Sequence, residues 1–270
     1  MNSKKIMILG LVIVLAITIV ALLADFIAPF DPKEMSAPFQ SPGGAHILGT
    51  NDIGNDIFSE LIYGARYSLL TGFAAMCISS LIGVLIGAIS GMSGGSLDSA
   101  LMKLTSFVYM IPYLPLLIVL SVFMRGSLFT TAIIIGLVSW PETARVLRAQ
   151  TLKIMNAEYI SVIRVMGAGK LYLFRRHILR ELMPLIAHRA VYRFRTAIIA
   201  ESSLSFLGLA PSTVKSWGSM LFFAQAKNAF LTDSWLWWVI PPGIMIFLLS
   251  LGLTFIAYSL ETKLDPRLEG

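Results

Sequence analysis

Six apolar runs, each close to the length of a bilayer-spanning helix, leave this chain of 270 residues few folds to adopt. A span needs about 20 mostly apolar residues. Lipid offers no partners to backbone N–H and C=O groups, so such a run must be a helix or part of a closed barrel. The runs cover residues 6–24, 68–89, 104–124, 130–140 extended through 146, 185–207 and 235–260. They are continuous rather than alternating, which selects helices. The fourth is interrupted by Pro141 and Glu142. The fifth carries His188, Arg189, Arg193, Arg195 and Glu201, so its spanning part is expected to start near Phe194. The predicted fold is an all-α polytopic membrane protein with six transmembrane helices.

Only 13% of the residues are charged, against about 25% in soluble domains. The net charge of +6 therefore needs no nucleic acid to explain it, because basic residues in a membrane protein gather on the cytoplasmic side. With the N-terminus inside, sixteen of the 21 Lys and Arg residues fall in inner segments. Eleven of these lie between Arg145 and Arg195. Both termini are then cytoplasmic. Lys4 and Lys5 precede the first run, as in a signal peptide. The run is longer than a signal-peptide core and no clean cleavage site follows it, so it reads as an uncleaved span.

The segment 141–184 is basic and half apolar, and is too long for a mere connection. It reads as a cytoplasmic docking loop. Its GAGK, ending at Lys170, is not a phosphate loop: Arg164 stands where the first glycine belongs and Leu171 where Ser or Thr belongs. Any nucleotide must therefore be bound by another chain. The lone Cys77 and three scattered histidines form no metal motif, and no metal or catalytic residue is assigned. An intramembrane hydrolase would need a GxSxG, an HExxH or paired acids, none of which is present. A secondary transporter working alone would be expected to show inverted repeats, and none is evident.

Several features inside the spans have both a functional and a packing explanation. Glu201 is the one acid placed within a span. It either lines a pathway with Ser202 and Ser205, or anchors a helix bend through Ser202, Ser203 and Ser205. Met110, Pro112 and Pro115 break the third run, which suits a helix that lines a pathway or one that is simply packed closely. Gly83, Gly87 and Gly91 share one helical face and permit close helix approach. Trp235, Trp237 and Trp238 read as an interfacial aromatic belt.

Several stretches together carry a family resemblance. The loop sequence YISVIRVMGAG and the RHIL that ends at Leu179 resemble the cytoplasmic EAA loop of ABC importer permeases. Ser161, Val162 and Ile163 take the EAA places, Gly167 the glycine, and Arg180 the usual proline. LGTNDIGNDIFSELIYGARYSL (48–69), AESSLSFLGLAPSTVKSWGSML (200–221), WWVIPPG (237–243) and LDPRL (264–268) resemble the dipeptide, oligopeptide and nickel branch, most of all its second permease. Asn51, Asn55 and Glu60 depart from the branch pattern.

The resemblance implies a type I ABC importer permease fold in a prokaryotic cytoplasmic (inner) membrane. Residues 1–66 would be an N-terminal span with an extracytoplasmic segment. Residues 67–260 would be the permease domain with its EAA-like loop at about 141–195, and 261–270 a cytoplasmic tail. The implied partners are a homologous permease, two ABC ATPase subunits that bind ATP and Mg, an extracytoplasmic solute-binding protein and lipid. The chain itself would hold no cofactor and do no bond chemistry. A coupling helix at about 159–169 would dock in the ATPase. Its residues are Glu158, Tyr159, Ile160, Ser161, Val162, Ile163, Arg164, Val165, Met166, Gly167, Ala168 and Gly169, with Ile160, Ile163 and Gly167 on one face. Short peptides are the expected cargo, with nickel or a metal bound to a small chelator as the alternative.

Overall fold

A computed structural model describes residues 3–124, 127–209, 211 and 214–264. Arg125 and most of the LDPRL tail lie outside the described residues. Helices occupy all six predicted places, and no strand forms among the described residues. They are α1 (Ser3–Leu22), α2 (Ala24–Ile27), α3 (Ile57–Ser93), α4 (Gly95–Met110), α5 (Tyr113–Phe123), α6 (Leu128–Met155), α7 (Glu158–Val165), α8 (Lys170–Leu173), α9 (Leu179–Phe206), α10 (Trp217–Ala226), α11 (Trp235–Trp238) and α12 (Ile240–Leu264). A π-helical turn, Phe174–Ile178, joins α8 to α9. The helices α1 and α3 and the stretch Trp235–Thr262 are each long and apolar enough to cross a membrane unaided.

The third predicted span is two helices. α4 and α5 meet at a bend of 86°. Pro112 explains it: a proline disfavours helical backbone in the residue before it, and Ile111 is extended at φ −74°, ψ 129°. The fourth run behaves in the opposite way. α6 continues through Pro141 and Glu142 for 28 residues, so the proline tolerated there is no boundary. Much of the supposed docking loop is helix in turn. α6 extends to Met155 and α9 begins at Leu179, leaving a short α7–α8 hairpin between them.

α3 is the central strut. Asp56 caps it, its carboxylate accepting from the Ser59 N–H at 2.7 Å, as an N-cap acid should. Its glycines are seats for its neighbours. A Cβ on Gly83 would lie 2.8 Å from Thr143, and one on Gly87 2.6 Å from the Ala144 carbonyl oxygen. One on Gly72 would lie 2.7 Å from Ile198 on α9. The glycine stripe therefore serves packing within this chain. α1 lies along α12, where Gly10 meets the Gly252 carbonyl and Ser3 Oγ bonds Thr262 Oγ1 at 2.7 Å. The two ends of the described chain thus lie on the same side of the bundle.

Trp238 departs from the aromatic-belt expectation. It is buried in the core with Trp217 and meets the Phe39 ring edge-on at 6.1 Å. The segment between α2 and α3 folds over it, held by buried side chains. Asn51 Nδ2 donates to Glu60 at 3.1 Å, and Lys215 pairs with Glu60 at 3.0 Å. Those two branch departures, Asn51 and Glu60, are thus bonded to each other.

Candidate functional site: a docking hairpin and a cavity at the helix break

The α7–α8 hairpin sits at one end of the bundle on a small core of its own. Leu147, Ile154, Met155, Ile160, Leu173, Ile178 and Leu182 form it. α7 is shorter than the expected coupling helix, because a C-cap ends it. The Gly167 N–H donates to the Arg164 carbonyl at 2.9 Å, and the Ala168 N–H to the Ile163 carbonyl at 3.3 Å. This is a Schellman motif, with the residue after the cap left-handed. Gly167 holds φ +89°, and nothing lies within 4 Å of where its Cβ would be. Its requirement is conformational, not spatial.

The outward face of α7 differs from the expected one. Ile160 is fully buried, and Ile163 turns partly inward against the same core. Val165 is 90% and Met166 81% exposed, joined by Tyr159 and Val162. Glu158, Ser161, Arg164, Gly167 and Gly169 are exposed and Ala168 half-buried. The free surface is therefore an apolar strip one face round from the Ile160–Ile163 line. Tyr159 donates its hydroxyl to Glu181 on α9, fastening α7 to that helix. Burial and the adjacent Glu181 carboxylate push its phenol up to about 12. The His177 ring sits between Tyr159 and Tyr172, with centroid distances of 6.1 Å and 5.7 Å.

The second feature is a cavity of about 430 Å³ at the α4–α5 break. Met110 and Pro112 line it, as do Tyr113, Ser139, Glu142 and Arg193. Two of the predicted pathway residues are therefore on its wall. Tyr113 Oη and Ser139 Oγ lie 3.2 Å apart. Glu142 receives two arginines from α9: Arg189 Nη1 at 3.0 Å and Arg193 Nη2 at 2.7 Å. Arg193 Nε also donates to Thr143 Oγ1 at 3.0 Å.

The other predicted pathway residues are elsewhere. Glu201, Ser202 and Ser205 are buried inside the subunit and reach no part of this cavity wall. Ser205 donates to Glu201 at 2.6 Å, Ser68 at 3.4 Å and Ser202 at 3.5 Å. Ser203 takes no part, bonding the Ile199 carbonyl instead. A buried carboxylate is tolerated only when bonded in this way, and the cage ties α9 to α3 and α10. Gly218 completes it, since a Cβ there would strike the Ser202 carbonyl at 2.6 Å.

Sequence reading missed the Glu142–Arg189–Arg193 cluster. The sequence pattern puts Arg189 and Arg193 ahead of the fifth span and makes Glu142 an interruption of the fourth. The available signal was the i, i+4 spacing of the two arginines, which places them on one face of a helix.

Comparison with known proteins places this architecture. Residues 83–270 match the family described as binding-protein-dependent transport system inner membrane component. Residues 3–42 match the N-terminal TM domain of oligopeptide transport permease C. A dipeptide transport system permease protein of Bacillus subtilis is 33% identical over 99% of this chain and 84% of its own length. A dipeptide transport system permease protein of Haemophilus influenzae is 35% identical over 97% and 90%. The fold is similar to that of an inward-facing MetNI methionine ABC transporter chain, with a TM-score of 0.59 at 17% identity, covering 74% of this chain and 96% of that one. A multi-pass, all-helical bundle with a type I importer fold, matched over most of its length by one family, is a non-enzymatic ABC importer permease subunit: this chain belongs to the binding-protein-dependent transport system inner membrane components.

Proposed function

We propose that this chain is one of two homologous permeases in an importer of short peptides, working with two ATPase subunits and an extracytoplasmic binding protein. The observation that carries the cargo is the near full-length similarity to dipeptide permeases in two organisms. It favours peptides over nickel or a metal chelate. ATP and Mg are bound by the ATPases, since this chain's GAGK has no Walker framework.

The α7 hairpin is the coupling element. Its exposed apolar strip, Tyr159, Val162, Val165 and Met166, is of the kind that marks an interaction site, and Arg175 and Arg176 flank the hairpin. Closure of the ATPases on ATP would push this hairpin. Its separate core would pass the push to α6 and α9, which carry Glu142 and Arg193 at the cavity. Both termini are cytoplasmic in this reading. The positive-inside bias supports it, as does the Ser3–Thr262 contact that puts both ends on one side.

ATP hydrolysis by the co-expressed complex with its binding protein tests the reading. Short peptides should stimulate it, and Gly167→Trp should abolish that stimulation while the complex still assembles. Stimulation only by a metal–chelate complex would keep the mechanism and change the cargo. If no ATPase co-purifies, the proposed assembly is wrong.

A further inference from the structure

The charge balance of the cavity at the α4–α5 break says which end of a peptide it receives. This step rests on the peptide-permease reading. Glu142 is the one acid on the cavity wall among the described residues. Both its oxygens are taken, one by Arg189 and one by Arg193. One carboxylate thus faces two guanidiniums, and the cluster keeps an excess positive charge. Arg145, three residues beyond Glu142 on α6, adds to it. Its guanidinium lies 4.6 Å from the ring centroid of Tyr109, which is itself on the wall.

The cluster is also short of acceptors. Arg189, which is not itself on the wall, has its Nε buried with no hydrogen-bond partner among the described residues. Arginine is always charged and presents five N–H donors. Of those on Arg193, the bonds to Thr143 and Glu142 engage Nε and Nη2. Its side chain is only 8% exposed, so the guanidinium is held rigidly while still reaching the wall. Tyr113 and Ser139 supply neutral hydroxyls across the cavity. Burying a guanidinium is costly unless it is paired, so an excess of them at a cavity wall points to a ligand of opposite charge. The donors left over on Arg193, those of Nη1, suit an anion, which a guanidinium binds by charge-assisted hydrogen bonds.

We propose that this cavity is a transient site for the free C-terminal carboxylate of the peptide cargo. Arg193 is the receiving cation. Glu142 is its internal counter-ion, holding the guanidinium in place when no cargo is present. The volume of about 430 Å³ is in the range of small-molecule sites, roughly 300–1,000 Å³.

The test uses the complete importer in proteoliposomes with its binding protein at saturation. Uptake of a labelled tripeptide is compared with uptake of its C-terminally amidated and N-acetylated forms. The binding protein is the same throughout, so its own preferences divide out of any variant-to-wild-type ratio. In Arg193→Gln the acid-over-amide preference should fall by about tenfold, the loss expected for one charged hydrogen-bonded contact. Arg193→Lys keeps the ion pair with Glu142, and so the fold, but loses the remaining guanidinium donors. It should lose part of the preference. An unchanged acid-over-amide ratio in both variants overturns the proposal. So does a change in the N-acetyl ratio alone, which would assign the cavity to the peptide's ammonium end. If the assembled wild-type importer takes up none of the peptides, the peptide reading itself fails and this assignment falls with it.

Discussion

Arg148 on α6 grips Asp98 on α4 with two parallel hydrogen bonds, Nε to Oδ1 and Nη2 to Oδ2, each 2.6 Å. Ser90 on α3 donates to the same carboxylate. One acid thus ties three helices at the start of α4, just ahead of the helix break. Asp98→Asn removes the charge and one oxygen acceptor while keeping the shape. A charge-assisted bidentate pair of this kind contributes about 1.5–3 kcal/mol. Thermal unfolding in detergent should show a loss near the lower end of that range, because Arg148 remains about one-third exposed at 31% and solvent screens the pair. An unchanged unfolding temperature would mean that the pair contributes nothing measurable.

Gly87 should tolerate no side chain. Its Cβ would sit 2.6 Å from the Ala144 carbonyl oxygen and 2.9 Å from Leu147 Cβ, and backbone cannot step aside as a side-chain tip can. Gly87→Ala should push α3 from α6 and cost about 1–3 kcal/mol. Gly243→Ala is the control, since nothing lies within 4 Å of that Cβ. Equal stability of the two variants would contradict the α3–α6 seat.

Glu201 should matter for folding and not for cargo choice. Glu201→Leu leaves the Ser205, Ser202 and Ser68 hydroxyls without their acceptor. Each unsatisfied buried group costs about 1–3 kcal/mol, so the expected readout is poor yield and a lower unfolding temperature. Glu201→Gln keeps an acceptor and should recover most of the loss. A Glu201→Gln protein that folds normally but changes its peptide preference would return this residue to the pathway.

Tyr159 predicts an alkaline limit for the coupling hairpin. Its folded-state value is raised from 10.0 to about 12, through burial and then the Glu181 contact. A raised value means that the neutral phenol is the favoured folded form. The stabilisation is therefore complete below about 10 and is lost as pH climbs through about 12. Across the physiological range the Tyr159–Glu181 bond should hold. Tyr159→Phe removes it at every pH, and hydrogen exchange of the α7 amides should quicken in the variant at neutral pH. Equal exchange in the two proteins would show that the Ile160 core alone fixes α7.

Much of the bundle was legible in the chain because the controlling physics is local. Lipid cannot satisfy a backbone group, so each apolar run of the right length had to be a helix, and all six places proved helical. The break at Pro112 was legible for the same reason, since a missing N–H and a restricted preceding residue are local properties. The strength of α6 through Pro141 was not legible, because α3 packs along that stretch and tertiary contact overrides one lost hydrogen bond.

Sequence alone determined a six-run, all-helical membrane bundle with its basic residues gathered in one stretch and an importer-permease pattern of motifs. Only the tertiary structure decided which side chains face one another. Glu142 and Arg193 stand 51 residues apart, and no periodicity links positions on two different helices. Glu201 took the serine-bonded one of the two roles open to it, and α7 turned Val165 and Met166 outward in place of Ile160, for one reason. Composition tells that a residue is polar or apolar, but which face of a helix is covered depends on what packs against it.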